Sequence, residues 1–387
     1  MRILAFVDYF LPGFKSGGPV RTLAGMIERL EPRHAFSVVT RDRDQGDAAP
    51  YGGIRPGAWT RVGHAEVMYL SPEMRSMGDF RRVLSSSSHD VVYFNSLYSP
   101  TFTLKPLLLL RTGRVPRMPV VVAPRGECAA AAVSIKRAKK RLFLEVARRT
   151  GYYRNVTFQA SSPAEERDIR RWFGASARIV VAPNLVSLEA ASAPRARDGS
   201  KVAGHLRLVF LSRIARMKNL RFALEALRDV EGDVELDIFG PMEDPAYWRE
   251  CERAARGLPP GVVVRYRGEA LRDDVPRIFA EHDFLLHPSR GENFGHVISE
   301  ALLSGCPVIV SDRTPWRGLE GLQAGWDLPL EDPPRFRDVL RRCVAMDAET
   351  HARLSTGARA CGLARSLDDA ALEANVRLFD VAARGKK

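Results

Sequence analysis

Two glutamates, Glu292 and Glu300, stand eight residues apart in the segment 288–301, which reads PSRGENFGHVISEA. The apolar runs 283–287 and 307–310 flank this segment and predict a strand before and after it, with a loop and a helix between. On a helix of about 3.6 residues per turn, two residues eight apart lie within about 80° of each other. The spacing therefore predicts one carboxylate at the mouth of the helix and a second about two turns along the same face.

The residues between the two glutamates favour an anion site. The free N–H groups of Asn293, Phe294 and Gly295 would point at a negative group above the helix N-terminus, and the glycine allows close approach. The N–H groups would then bind a negatively charged group, and the carboxylates would bind hydroxyl groups in the same site. The alternative is that Glu292 and Asn293 only cap the helix and that Glu300 is solvated, and spacing alone leaves it open.

The residue types in this segment resemble the E-x7-E signature of retaining glycosyltransferase family four, whose members use a nucleotide-sugar donor. The family context "PS..E.FG....EA...G.PV" is matched here by Pro288, Ser289, Glu292, Phe294, Gly295, Glu300, Ala301, Gly305, Pro307 and Val308. The resemblance implies that Glu292 holds hydroxyls of the donor sugar near the reacting carbon. It also implies that Glu300 accepts both ribose hydroxyls.

The composition agrees with a two-domain enzyme. A chain of 387 residues is too long for one core, and 45% hydrophobic residues suffice to fill two. The five cysteines are an odd number without a C-x-x-C pair, which favours a reduced, cytoplasmic protein. The N-terminal MRILAFVDYF predicts a first strand and not a signal peptide, and no apolar stretch approaches the ~20 residues that cross a bilayer.

Strands and helices alternate along the chain. A strand at 3–7 and a helix at 19–30 open the first half, and a strand at 206–211 and a helix at 219–228 open the second. Such alternation predicts α/β domains with parallel sheets that bind ligands at their carboxyl edges. The predicted parts are an N-terminal acceptor-binding domain 1–185, a linker 186–204, a C-terminal nucleotide-sugar domain 205–365, and a C-terminal helix 366–387 that crosses back to the N-terminal domain. The family resemblance implies the GT-B architecture, two Rossmann-like domains facing across a cleft.

Two further motifs lie at predicted strand ends. Arg213 and Lys218, in LSRIARMKN, have the charge to bind a diphosphate, although such cations are frequent in this chain. They resemble the pyrophosphate-binding positions of the family's "GRL...KG" segment. Gly17 and Gly18 follow the first strand and allow a backbone to approach phosphate, or they form a plain turn. They resemble the family's N-terminal glycine loop, which lies across the cleft from the diphosphate, and the resemblance implies that they contribute to donor binding.

Arg125, in APRGECAAA, stands where much of the family has a histidine before the glycine. This departure resembles a "PRG" branch that acts on bacterial surface polysaccharides, and it puts a histidine-based role in doubt. A structural ion pair between Arg125 and Glu127 is the alternative. A second departure is Pro183-Asn184-Leu185, where the family often has Asn-Gly.

The chemistry implied by the family is a transfer with retained anomeric configuration and without a metal. Arg213, Lys218 and the helix N-terminus stabilise the departing diphosphate, so the catalytic candidates are these two cations with Glu292 and Arg125. The D-x-D formed at Asp42 lies in a charged loop far from the other motifs and is discounted as a metal site. No cofactor is expected, because the nucleotide-sugar is a substrate.

The positive charge is concentrated in residues 1–185. This part contains 29 Lys and Arg and 15 Asp and Glu, a net charge of +14, whereas the whole chain has a net charge of +13. Within it, the predicted helix 134–149 has an apolar stripe surrounded by basic residues. The stripe is Ile135, Ala138, Leu142 and Val146, and Lys136, Lys139 and Lys140 are among the basic residues. This pattern suits an anionic membrane surface or an acidic ligand, and the alternative is a stripe that faces the core.

The sequence therefore predicts a retaining, metal-independent glycosyltransferase that acts on a glycan or lipid-linked acceptor in bacterial exopolysaccharide, capsule or lipopolysaccharide synthesis. It is expected to be cytoplasmic, and peripheral on the inner face of the plasma membrane. One alternative is a nucleotide-sugar epimerase of the same architecture, which needs no acceptor. The other is a basic nucleic-acid-binding protein, although the sequence has no recognition-helix or RNA-module signature.

Overall fold

The computed structural model describes residues 1–86, 88–129, 137–187 and 200–385. The chain divides into two compact units. Unit 1 comprises Met1–Leu188 and Asp368–Lys387, and unit 2 comprises Glu189–Leu367. Most of the predicted linker therefore lies outside the described residues.

Unit 1 is built on an eight-stranded sheet with the order β3-β4-β2-β1-β5-β6-β7-β8. Its strands are β1 (Arg2–Phe6), β2 (Ala35–Arg41), β3 (Trp59–Val62), β4 (Ala65–Leu70), β5 (Val91–Phe94), β6 (Val120–Val122), β7 (Thr157–Ala160) and β8 (Arg178–Val181). All neighbours pair in parallel except β3 with β4. The central strands are buried on both faces, which explains their continuous apolar runs.

Helices cover both faces of this sheet. They are α1 (Gly18–Leu30), α2 (Met77–Ser86), α3 (Lys105–Arg111), α4 (Arg137–Arg149) and α5 (Pro163–Phe173). Local sequence signals set some of these ends. The hydroxyl of Ser162 caps α5 by accepting a hydrogen bond from the Glu165 N–H, and Pro163 occupies the first turn.

Unit 2 has a six-stranded sheet with the order β11-β10-β9-β12-β13-β14, and every pair is parallel. Its strands are β9 (His205–Leu211), β10 (Asp233–Phe239), β11 (Val262–Gly268), β12 (Phe284–His287), β13 (Val308–Ser311) and β14 (Gly325–Leu328). Its helices are α6 (Leu220–Ala226), α7 (Pro245–Arg256), α8 (Val275–Glu281), α9 (His296–Leu303), α10 (Pro333–Ala345) and α11 (Ala348–Ser366). The carboxyl ends of β9, β12 and β13 lie side by side, so the loops that follow them meet.

The last helix, α12 (Asp369–Arg384), belongs to unit 1 and packs against β5 to β8. Asp368 caps it by accepting hydrogen bonds from two backbone N–H groups. Phe379 packs edge-on against His34 and Phe36 in the core of unit 1. Asn375 is fully buried on the same helix.

Several element boundaries differ from expectation by one or two residues. The predicted strand 283–287 begins one residue later, because the buried carboxylate of Asp283 accepts hydrogen bonds from the backbone and side chain of Arg207. The first strand ends at Phe6, and α6 ends at Ala226. Residues 134–136 of the predicted basic helix lie outside the described part, and α4 begins at Arg137. In the parts of the chain that are described, no helix combines the length and apolarity needed to span a bilayer.

Candidate active site

The candidate site of unit 2 is formed where the loops after β9 and β12 are joined by hydrogen bonds. The Arg290 N–H donates to the Met217 carbonyl at 2.8 Å, and the Ser289 hydroxyl donates to the same carbonyl at 3.2 Å. The buried side chain of Asn219 donates to the Pro288 carbonyl at 3.0 Å and accepts from Arg290. These contacts fix the two loops against each other.

As a result, Lys218 and Glu292, which are 74 residues apart in sequence, form an ion pair. Lys218 Nζ lies 2.7 Å from Glu292 Oε1, and the two side chains are 16% and 10% exposed. The fully buried His287, at the end of β12, places Nε2 2.8 Å from the same oxygen. Among the described residues, Glu292 Oε2 has no hydrogen-bond partner. One oxygen of Glu292 is therefore held by the protein, and the other is available to a ligand.

The protonation of this cluster follows from its burial and charges. Burial lowers the pKa of His287 below its ordinary value despite the neighbouring carboxylate, so the imidazole is neutral at pH 7. Its Nε2 therefore carries the proton and donates to Glu292, while the buried Nδ1 has no partner among the described residues. Burial opposes ionisation of Glu292, but the Lys218 charge and the His287 hydrogen bond outweigh it and hold the pKa of Glu292 well below its usual range.

The helix α9 begins later than the sequence predicts. Gly295 is its N-cap and has a left-handed backbone with φ of 78°. Glu292 precedes the helix, as expected, but Glu300 is the fifth helical residue and not two turns in. The expected common helical face of the two glutamates is therefore wrong, because the glycine interrupts the helical path between them. Glu300 and Asn293 are both half-buried.

Trp316 fixes the start of this helix from the loop after β13. Its indole N–H donates to the Phe294 carbonyl at 2.7 Å, and the two rings pack 5.9 Å apart. A side chain on Gly295 would place Cβ 2.9 Å from Ile298 Cδ1. The Phe294 ring is buried, so this residue offers a ligand its backbone only. Within the described residues, the N–H groups of Phe294 and Gly295 make no hydrogen bond.

Arg213 lies just after β9 and forms an ion pair with Glu243, with both side chains more than 40% exposed. An exposed pair of this kind contributes little to stability and exchanges easily for another anion. Gly240 has a φ of 135°, and any side chain there would overlap the carbonyl of Ser212. This glycine therefore allows the loop after β10 to pass close to Arg213.

In unit 1, Arg125 is the centre of a polar network at the carboxyl edge of the sheet. Its guanidinium donates to Asn95 Oδ1 at 2.8 Å, to Asn184 Oδ1 at 2.5 Å and to the Tyr93 hydroxyl. Tyr93 in turn donates to the buried Gln159 at 2.7 Å. Arg125 has a left-handed backbone with φ of 55°, which is uncommon for a residue with a side chain.

The suggested ion pair between Arg125 and Glu127 is not formed. The Glu127 carboxylate accepts hydrogen bonds from the Ser96 hydroxyl at 3.0 Å and from the Leu97 N–H at 2.5 Å. Burial raises the pKa of this carboxyl to about 7, although the residue as a whole is only half-buried. The neighbouring Gly126 N–H donates to the buried carboxylate of Glu165 at 2.5 Å. Two carboxylates thus fix the loop that carries Arg125.

Gly17 is the N-cap of α1 and has a φ of 64° with open space around it, so the backbone angle and not crowding favours glycine. Gly18 begins the helix, and the Asn95 amide donates to the carbonyl of Pro19 at 3.0 Å. The first turn of α1 and the Arg125 network are thereby connected through Asn95.

The carboxylates of the D-x-D motif have structural partners in unit 1. Asp44 accepts hydrogen bonds from the Phe14 and Lys15 N–H groups at 2.7 and 3.1 Å, and so fixes the loop before Gly17. The buried Asp42 pairs with Arg43 at 2.9 Å and with Arg75 at 3.2 Å.

The basic helix α4 exposes its apolar stripe. Leu142 is 67% exposed and Val146 is 49% exposed, whereas Leu144 and Ala147 are buried in the core. The alternative of a core-facing stripe is therefore wrong. Lys139 is exposed, and Lys140 is half-buried with its ammonium 5.5 Å from the centre of the Tyr98 ring. Lys136 lies outside the described residues.

Two family models match the chain. The model described as a glycosyl transferase 4-like domain matches residues 17–185, and the model described as glycosyl transferases group 1 matches residues 205–345. The chain belongs to the family-four glycosyltransferases. The D-inositol 3-phosphate glycosyltransferase of Xylanimonas cellulosilytica is 29% identical over 250 residues, which are 59% of this chain and 57% of that relative. The match thus spans little more than half of the relative's length.

Solved structures of other proteins share the fold. HepE of Anabaena, determined in complex with UDP and glucose, has a TM-score of 0.66 at 18% identity, covering 99% of this family-four chain and 100% of HepE. Sucrose-phosphate synthase of Thermosynechococcus elongatus has a TM-score of 0.72 at 17% identity, covering 98% of each chain. The expected GT-B class, with two Rossmann-like parallel-sheet domains, is confirmed.

Three residues that shape the unit 2 site of this family-four chain were not predicted from the sequence. His287 is the last residue of an apolar strand, and in the sequence only its position just before Pro288 indicated a role in the site. Asn219 follows Lys218 and adopts a left-handed backbone with φ of 62°, which asparagine tolerates. Gly240 ends a strand, where a glycine often marks close backbone approach.

Proposed function

We propose that the protein transfers a sugar from a nucleotide-sugar donor, with retention of the anomeric configuration and without a metal ion. The observation that carries this proposal is the buried cluster of Lys218, Glu292 and His287 at the carboxyl edge of unit 2. The cluster presents a cation and a carboxylate oxygen side by side, beside the N-terminus of α9. A nucleotide-sugar has a negatively charged diphosphate next to the hydroxyl groups of its sugar. The cation can bind the diphosphate, and the carboxylate oxygen can accept hydrogen bonds from the hydroxyls.

Each group has a defined task in the proposed reaction. Lys218 and Arg213 neutralise the diphosphate, and charge that develops on the leaving oxygen is stabilised by them and by the N–H groups before α9. Oε2 of the ionised Glu292 accepts hydrogen bonds from sugar hydroxyls, while His287 and Lys218 fix its other oxygen. Glu300 accepts the ribose hydroxyls. The departing phosphate takes the acceptor proton, so the site needs no side-chain base.

We further propose that unit 1 binds the acceptor, a glycan or a lipid-linked sugar of bacterial surface polysaccharide. This part rests on the similarity of the Arg125 segment to the "PRG" branch. Arg125 keeps N–H groups beyond those bound by Asn95, Asn184 and Tyr93, because a guanidinium has five. The half-buried guanidinium thus has donors left for an acceptor oxygen. The donor-side role of Gly17 and Gly18 stays a prediction.

The exposed stripe of α4 supports a peripheral location on an anionic membrane. Exposed Leu142 and Val146 lie four residues apart, and exposed Lys139, Arg141 and Arg149 surround them. Apolar side chains enter the interface of a bilayer, while the cations attract anionic headgroups. A lipid-linked acceptor would be met at that surface.

A ligand screen tests the donor proposal. Thermal unfolding is measured with UDP-, GDP-, ADP- and dTDP-sugars, and a donor at 100 times its Kd stabilises the protein by about 2.7 kcal/mol. Calorimetry with the selected donor then compares Glu300→Ala with Glu349→Ala, a control at an exposed helical glutamate of unit 2. We expect at least a tenfold loss of affinity in the first variant only. Equal affinities in both variants would remove Glu300 from the site.

A product assay separates transfer from the alternative activity. Labelled donor is incubated alone and with candidate acceptors. Transfer requires an acceptor and releases nucleoside diphosphate, whereas an epimerase converts the donor without one.

A further inference from the structure

A cavity of about 540 Å³ lies in unit 1 between the end of α4 and the starts of β7 and β8. These are the amino ends of the two strands, whereas Arg125 and its partners lie at the carboxyl edge of the same sheet. The cavity is therefore separate from the candidate active site. Its volume falls in the range of small-molecule sites.

The charge around the cavity is of one sign. Three arginines, Arg148, Arg154 and Arg178, line it, and none of the described lining residues is an aspartate or a glutamate. All three are exposed. Arg148 pairs with Glu145 at 2.9 Å, whereas Arg154 and Arg178 have no acidic partner among the described residues. Three cations around one cavity attract an anion, and arginine binds phosphate oxygens through two parallel hydrogen bonds.

The inner wall of the cavity is aromatic. Tyr153, Phe158 and Phe173 all line it and pack on one another, with the two phenylalanine rings stacked 4.9 Å apart. Tyr153 and Phe158 are buried, and Phe173 is partly exposed. A ligand of this cavity thus meets cations at the rim and apolar rings behind them.

The turn that forms one wall contains two residues with left-handed backbones. Gly151 and Asn155 have φ angles of 58° and 65°, which glycine and asparagine both tolerate. Asn155 is exposed and lines the cavity, so its amide is a further hydrogen-bond donor.

The cavity lies at the C-terminal end of α4, the helix that carries the exposed stripe. Arg148 lines the cavity, but it is two residues, or about 200°, beyond Val146 and therefore points away from the stripe. At about 100° per residue, Leu142, Val146 and Arg149 point in one direction, and the buried Leu144 and Ala147 point in nearly the opposite one. The stripe therefore faces outward, with the cavity at the end of the same helix.

From this geometry we propose that the cavity binds the phosphodiester headgroup of an anionic glycerophospholipid. The arginines bind the phosphate, and the aromatic wall receives the glycerol and the first methylene groups. The stripe, on another face of α4, enters the bilayer. The inference rests on the membrane association proposed above, and it adds the ligand and the residues that select it. It requires no glycosyltransferase activity, so its test is independent of the donor assays.

The test uses the full chain and two probes. The first probe is dihexanoyl-phosphatidylglycerol below its critical micelle concentration, measured by calorimetry. The second is sedimentation with vesicles of phosphatidylcholine that contain a quarter phosphatidylglycerol. Arg154→Gln/Arg178→Gln changes the cavity, and Arg81→Gln/Arg82→Gln is the control with the same change of charge on the exposed face of α2. Leu142→Ser/Val146→Ser changes the stripe alone.

We expect the cavity variant to lose about 30-fold in affinity for both probes, since each cation near an anionic surface contributes about 1 kcal/mol. The affinity of the control variant for both probes should fall less than threefold. The stripe variant should no longer bind vesicles but should bind the soluble short-chain lipid as the wild type does. Ser176→Trp fills the cavity without a change of charge. It should lower the affinity for both probes as much as the arginine changes do, which would exclude a purely electrostatic effect.

Three outcomes overturn the proposal. One is an equal loss in the control pair, which would mean that net charge alone attracts the lipid. Another is binding of glycerol 3-phosphate as tight as that of the short-chain lipid, because the ligand is then a water-soluble phosphate ester. The last is that the wild-type protein binds neither probe. Donor binding in the same preparation shows that the protein is folded and leaves the proposed transfer reaction to be judged separately.

Discussion

Removal of the positive charge of Lys218 should destabilise the protein even in the absence of a ligand. At 2.7 Å and an effective dielectric constant of about 20, the attraction between Lys218 and Glu292 is roughly 6 kcal/mol before the cost of desolvation. Loss of one partner of a buried pair costs about 3–5 kcal/mol, because the other charge stays buried without compensation. The side chains are 16% and 10% exposed, so we expect about 3 kcal/mol for Lys218→Met.

Urea unfolding followed by circular dichroism measures this cost. The double variant Lys218→Met/Glu292→Gln removes both charges and should cost only about 1 kcal/mol. The coupling energy is then about 2 kcal/mol plus the cost of Glu292→Gln alone, which is measured in the same series. Arg213→Met is the matched control, because it breaks a pair with Glu243 that is more than 40% exposed and should cost less than about 1 kcal/mol.

The reasoning about the buried pair would be refuted by two results. One is a cost for Lys218→Met no larger than that for Arg213→Met. The other is a double variant whose cost equals the sum of its single changes. Either result would mean that the two side chains do not interact in solution and that Lys218 is free before a donor binds. Its assignment as a diphosphate ligand would then depend on donor affinity alone.

Three further predictions concern stability and catalysis. Burial raises the pKa of Glu127 to about 7 in the folded protein, so as the pH rises the unfolded chain loses this proton at a lower pH than the folded protein does. The free energy of unfolding should therefore fall by up to roughly 3 kcal/mol between about pH 4.5 and 7. Glu127→Gln should remove that part of the pH dependence in urea titrations, and an unchanged difference between wild type and variant across this range would contradict the raised pKa. Gly295→Ala should lower the free energy of unfolding by about 1–3 kcal/mol and weaken donor binding, because Gly295 has a φ of 78° and a new Cβ would lie too close to Ile298. Unfolding and donor calorimetry measure the two effects. Gly321→Ala is the control and should be nearly neutral in both, because a Cβ there makes only an ordinary contact. A chelator should leave turnover unchanged, and restoration of a lost activity by magnesium or manganese would require Asp42 to be reconsidered.

The local sequence was sufficient for those features that depend on short-range pattern. Continuous apolar runs predicted buried parallel strands, because helices cover both faces of such sheets. The residue types of the segment 288–301 predicted the family, and the two family models and the shared GT-B fold agree with it. The exposed stripe of α4 shows where pattern was not enough. An amphipathic repeat gives the direction of an apolar face, but only packing decides which face of the helix the core covers.

Tertiary structure decided which groups meet and how they ionise. Lys218 and Glu292 were each assigned to the donor from sequence. Their ion pair depends on hydrogen bonds between two loops, whose bonded residues are 69 and 72 positions apart in the chain. The same holds for Arg125, whose three partners come from β5 and the residue after it, and from the loop after β8. A pKa or an ion pair depends on burial and on distances across the fold, and neither is a property of neighbouring residues. The pattern of apolar runs predicted which residues follow each strand, while the sheet order determined which of those strand ends lie side by side.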